Sequence, residues 1–99
     1  MNRPVVEVWS EDKQVSRVPA LVYGVWLTTT SQTKYIRLYD GHGTDGTLRL
    51  WLSSSDSSVA AIVPKEPIPF NEGIYLDVES DKCVAMIQYR SLGSKDKEL

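Results

Sequence analysis

Between Lys34 and Ser53 apolar and polar side chains alternate with almost no interruption: Lys34-Tyr35-Ile36-Arg37-Leu38-Tyr39-Asp40, then Gly41-His42-Gly43-Thr44-Asp45-Gly46, then Thr47-Leu48-Arg49-Leu50-Trp51-Leu52-Ser53. A period of two sends successive side chains to opposite faces of an extended chain, whereas a helix needs an apolar stripe every three to four residues. Two such runs, rich in β-branched and aromatic residues and split by a Gly/Asp loop, predict an antiparallel hairpin. Similar patterns fill the rest of the chain, and no window carries a convincing helical stripe or an internal repeat. The expectation is all-β: a two-sheet antiparallel sandwich, jelly-roll-like, of roughly seven to eight short strands.

Length limits what else the chain can hold. Ninety-nine residues make one domain with one two-layer core and leave little room for a substrate cleft. The net charge of −2 offers no basic footprint for nucleic acid. The longest apolar run, Ala20 to Leu27, is far short of a helical bilayer span. No charged-then-apolar leader opens the sequence, so secretion is not expected. The closing Asp96-Lys97-Glu98-Leu99 departs in order from the retention signal it superficially suggests. A single cysteine, Cys83, allows no internal disulfide, and its mid-strand position reads as a small buried hydrophobe.

Along the chain, Pro4 to Trp9 predicts a short first strand that doubles as an N-terminal arm over residues 1–9. Ser10 to Pro19 reads as a polar loop. Leu21 to Thr28 predicts a strand with Leu21, Tyr23, Val25 and Leu27 on one face, and Gly24 within it signals a bulge. After a polar turn, Thr29 to Thr33, comes the hairpin, and then a serine-rich connection, Ser53 to Ser58. Val59 to Val63 is continuously apolar, as a strand buried on both faces would be. Pro64, Pro67 and Pro69 predict an extended crossing between sheets. Ile74 to Val78 and Lys82 to Arg90 read as a last hairpin turning at Ser80-Asp81. In that register Val78 meets Cys83, Leu76 meets Ala85 and Ile74 meets Ile87, with Tyr75, Asp77, Val84 and Met86 on the other face. The expected domain thus spans 1–90, and 91–99 is expected to be a polar, flexible tail. The expected core is Ile36, Leu38, Leu48, Leu50, Leu52, Ile74, Leu76 and Ile87.

Few residues suggest chemistry. The 40–46 loop holds the only histidine, His42, with Asp40 and Asp45, but lacks the oxygen-rich spacing of a calcium loop. Zinc would need partners that one His and one Cys do not supply. No serine sits in a nucleophile-elbow sequence. No enzymatic activity, cofactor or metal is expected. The outer face of the central hairpin is more suggestive. With Leu38 opposite Leu50 inside, Arg37 falls opposite Trp51 and Tyr39 opposite Arg49 outside. Such a face is a cation–π ladder stiffening the sheet, a protein interface, or a sugar platform. Trp9 at the N-terminal strand either caps one end of the sandwich or enters a neighbour. Interface candidates are therefore Trp9, Arg37, Tyr39, Arg49 and Trp51.

The order of an aromatic-rich strand, Ile36-Arg37-Leu38-Tyr39-Asp40-Gly41, Gly46-Thr47-Leu48-Arg49-Leu50, and a proline-rich crossing into Phe70-Asn71-Glu72-Gly73-Ile74-Tyr75-Leu76 resembles small phage virion proteins. It is similar to the capsid decoration (cement) proteins and short fibre-like accessory proteins of tailed phages, over residues 20 to 90. The resemblance implies a jelly-roll-like subunit on the capsid surface of a virion, made in the host cytoplasm. It further implies a homotrimer bound to the major capsid protein, without catalytic residues, nucleic acid or membrane. The alternative function is a carbohydrate- or receptor-binding module using the Arg37/Tyr39/Trp51 face.

Overall fold

The computed structural model describes residues 4–29, 33–54, 59–79 and 82–92. The described residues form nine strands and no helix: β1 (Val5–Trp9), β2 (Lys13–Ser16), β3 (Ala20–Thr29), β4 (Lys34–Asp40), β5 (Thr47–Ser54), β6 (Val59–Ile62), β7 (Ile68–Phe70), β8 (Ile74–Val78) and β9 (Cys83–Ser91). They make two antiparallel sheets packed as a sandwich. The five-stranded sheet runs β1-β9-β3-β6, with β7 also on β3, and the four-stranded sheet runs β2-β8-β4-β5. Pairing is nested: β4 with β5, β3 with β6 and β7, β2 with β8, β1 with β9. The β3–β9 and β4–β8 pairs then complete the sheets.

The core lies between the two inner faces. Val22, Val25, Leu27, Cys83, Ala85 and Ile87 enter it from one sheet, and Ile36, Leu38, Leu52, Ile74, Leu76 and Val78 from the other. Period-two alternation in each strand decides which residues these are, because a strand covered on one face must send every second side chain inward.

Several expectations need correction. β8 and β9 do not form a hairpin: β8 pairs with β2 and β4, and β9 with β1 and β3. Their inward residues are those expected, but they belong to opposing sheets rather than adjacent strands. A short strand, β2, lies inside the predicted 10–19 loop; it pairs with β8 and is bulged at Val15. In β3, register shifts between Val22 and Gly24, leaving Tyr23 as the extra residue of a bulge. The bulge switches faces, so Ala20 and Val22 point inward before it and Val25 and Leu27 after it, while Leu21 and Tyr23 are only half-buried. Gly24 leaves room there for the Trp26 ring lying across it, whose nearest atom is 2.5 Å from where a Cβ would stand.

β6 is a half-exposed edge strand, not one buried on both faces. The proline segment does not cross between sheets. β6 runs along Val25 to Thr28 of β3 and β7 along Ala20 to Val22, so the segment joins two collinear pieces of one edge. Residues 5–9 form a strand within the sheet rather than a free arm. The turn at 30–32, the serine connection at 55–58, the Ser80-Asp81 loop and the tail from 93 onward lie outside the described residues.

Candidate interaction faces

The outer face of the four-stranded sheet carries most of the residues singled out in the sequence. Arg37 stands opposite Trp51 on one side and Asp77 on the other, as strands β5, β4 and β8 place them. Its Nε donates to Asp77 Oδ2 at 3.1 Å and its Nη2 lies 2.8 Å from the same oxygen. The guanidinium sits 4.8 Å from the Tyr35 ring centre, and Tyr35 meets Trp51 edge to face at 6.4 Å. The cation–π partner of Arg37 is thus Tyr35, two residues along its own strand, and not Trp51. Partial burial pulls the Arg37 pKa down, but the facing Asp77 and the phenols of Tyr35 and Tyr39 outweigh it and leave the pKa raised. Trp51 remains 63% exposed.

The expected Tyr39–Arg49 pair does not form. Register shifts between Leu38 and Tyr39, so that Tyr39 faces Leu48 and Arg49 is the extra residue of a bulge. One extra residue turns the rest of the strand over. Leu48, expected in the core, therefore lies outside and is 49% exposed, and Leu50 is only partly buried. Tyr39 is buried although it points outward, since in central strand β4 it is flanked by Leu48 and Tyr75. Trp9, at the end of β1 opposite Ala85, is partly buried against the core.

The 40–46 loop is built for structure. Asp40 is buried and accepts hydrogen bonds from the backbone N–H groups of Asn71 (2.9 Å) and Glu72 (2.7 Å), with the Arg49 guanidinium 3.6 Å away. Burial alone would raise its pKa. The Asn71 and Glu72 N–H groups, then Arg49 and the Gly73 N–H, more than offset this and hold the carboxyl below the usual range. Gln14 Nε2 lies within hydrogen-bonding distance of the Ser16, Gly41 and Ile74 carbonyls, so β2, the loop and β8 meet at one side chain. Gly73 sits at φ +150°, with Ser16 O only 2.5 Å from where a Cβ would be. His42 Nε2 lies 3.2 Å from the Arg17 carbonyl. Among the described residues no group of three or more His, Cys, Asp or Glu side chains converges as metal ligands would.

A second face escaped the sequence reading. On the outer side of the five-stranded sheet the registers align three rows. Val84, Thr28 and Val59 form one row; Val8, Met86, Trp26 and Ala61 the next; Val6, Gln88 and Gly24 the third. None of these residues is charged, and Val6, Val8, Val59, Val84 and Met86 are all exposed. The signal was present in Val84 and Met86. Pairing β8 with β9 mixed them with Tyr75 and Asp77 and disguised it; separation into two sheets leaves an uncharged, largely apolar patch on one outer face and aromatic and charged residues on the other.

Neither a protein-family model nor a curated protein matches this chain.

Proposed function

We propose that this chain is a structural assembly module without catalytic activity, of the kind that decorates a phage capsid and stabilises it by bridging neighbouring subunits. The nested strand pairing supports a jelly-roll winding, in which a long antiparallel ribbon folds over into two sheets. The carrying observation is the uncharged patch that the Val84, Val8 and Val6 rows form on the outer side of β1, β9, β3 and β6, bounded on β9 by Arg90. The largest exposed apolar patch on a monomer covers about 300–600 Å² and is often a functional surface. Four strands about 4.8 Å apart and three rows of alternate residues give a footprint of roughly 300 Å². A standard interface needs about 800 Å² per partner. One such patch holds weakly, so the module works when several copies act together on a repeating shell.

The test is sedimentation with capsid shells of its own phage, stripped of accessory proteins. Wild type should pellet with the shells and a Val84→Lys/Met86→Lys variant should stay in solution. Failure of the wild type to pellet, or pelleting of the variant at wild-type level, would overturn the reading. A second reading, a sugar- or receptor-binding module, draws on the exposure of Trp51 beside Tyr35 and the Arg37–Asp77 pair. It requires the Arg37→Ala/Trp51→Ala variant, not the Val84/Met86 one, to lose binding, with glycan binding by the wild type as its own readout.

A further inference from the structure

Among the described residues four edges bound the two sheets: β1 and the β6–β7 line in one, β2 and β5 in the other. An open edge offers unpaired N–H and C=O groups to any passing strand, and stable proteins guard it with prolines, bulges, lysines or shortness. Three of these edges are guarded. β2 has four residues, begins with Lys13 and bulges at Val15. β5 bulges at Arg49. The β6–β7 line is broken between Ile62 and Ile68 and carries Pro64, Pro67 and Pro69. β1 has none of these four devices; an inward-pointing charge is a further one, and β1 carries it only in Glu7, opposite Ile87. Its five residues, Val5-Val6-Glu7-Val8-Trp9, contain no Lys, Pro or Gly and keep an unshifted register with β9 throughout. Among the described residues β9 is its only strand partner. Its one charge, Glu7, accepts a hydrogen bond from the Tyr89 hydroxyl at 2.9 Å, which holds the carboxylate against its own sheet.

We propose that β1 pairs antiparallel with β1 of a second copy about a two-fold axis, joining two five-stranded sheets into one. A second copy is the occupant because the surface is self-complementary. Val8, 54% exposed, meets its own counterpart and carries the Val8–Met86–Trp26–Ala61 row of one copy into that of the other. The continuous outer face then doubles from roughly 300 to roughly 600 Å². Two-fold symmetry follows from the edges themselves. A ring of three would require β1 to meet a different strand edge of its neighbour, and each of those is guarded. An axis at Glu7 would set two carboxylates directly opposite, which repel. An axis at Val6 would set Pro4, which has no N–H to donate, opposite Val8. The axis therefore passes at Val8, placing Val8 against Val8 of the second copy and Glu7 beside the second copy's Trp9. This pairing goes beyond the decoration role and stands whether or not the outer face docks on a shell.

The experiment measures solution mass by light scattering of the full chain at tens of micromolar. Twice the 11.1 kDa chain mass is expected. Val8→Lys places two ammonium groups opposite each other and should return the monomer mass. Val59→Lys, at the far side of the same apolar face, should keep the dimer. Val8→Cys provides a readout that does not depend on tolerating a charge: side chains opposite across an antiparallel pair lie within disulfide reach. Mild oxidation should therefore link Val8→Cys, and not Val59→Cys, into a covalent dimer, Cys83 being buried. A monomeric or trimeric wild type, loss of the dimer in Val59→Lys, or no linkage of Val8→Cys would overturn the proposal.

Discussion

Replacing Asp40 tests how the end of the sandwich is closed. Its carboxylate accepts two backbone N–H groups from the 71–73 turn, and the turn is what launches β8 into the four-stranded sheet. Hydrogen bonds to a charged acceptor contribute about 1.5 kcal/mol each at the lower end of their range. The lower end applies because Asn71 and Glu72 are exposed and their freed N–H groups can take up water. Arg49, more than a third exposed, adds little. Asp40→Ala should therefore cost about 3 kcal/mol, or roughly 12–24 °C in melting temperature for a domain of this size. Asp40→Asn keeps one acceptor oxygen and should cost about half as much. The pH dependence has a definite sign. The folded-state pKa lies below the ordinary carboxylate value, so the stabilisation is present above that value and fades as pH falls through it towards the folded pKa. Urea melts followed by tryptophan fluorescence, at neutral pH and at several acidic pH values, measure both effects. Asp40→Asn should show a flatter acid limb than wild type. A cost below about 1 kcal/mol for Asp40→Ala, or parallel acid limbs, would refute the reasoning.

The bulge at Arg49 separates two leucines that look equivalent in the sequence. Leu38→Ala should cost about 2–5 kcal/mol in denaturant melts, while Leu48→Ala, half exposed, should cost less than about 1 kcal/mol; equal costs would place the bulge wrongly. Tyr89 is pushed up to about 12, by burial first and then by its hydrogen bond to the Glu7 carboxylate. Because the folded state holds this proton more tightly, its contribution to stability is complete below the ordinary tyrosine value and is lost as pH rises from there to about 12. Tyr75 is also raised, by burial and the nearby Asp12 and Asp77, so an alkaline absorbance titration should resolve a latest phenol near 12 that Tyr89→Phe removes.

Period-two alternation by itself determined that the chain folds into strands, and it identified most inward-facing residues, including Ile36 and Leu38 in β4, Ile74 and Leu76 in β8, and Ala85 and Ile87 in β9. The β4–β5 hairpin was legible because its loop is short and both runs alternate cleanly. Gly24 marked a bulge, since a glycine inside a strand leaves room for a neighbour, here the ring of Trp26. Alternation says which face a residue belongs to, not which strand lies beside it. An apolar inner set on β8 and another on β9 satisfies a hairpin and a face-to-face sandwich equally well, and only the whole set of pairings decided for the sandwich. Bulges hid the rest: one extra residue at Tyr23 and one at Arg49 reversed the faces of Leu21 and Leu48, and their cost or benefit depends on partners in other strands. The part played by Asp40 was equally out of reach, because the N–H groups it accepts lie 31 and 32 residues further along the chain. The apolar outer face exists only once β1, β9, β3 and β6 stand side by side, since burial of the inner faces, not any local pattern, fixes what is left outside.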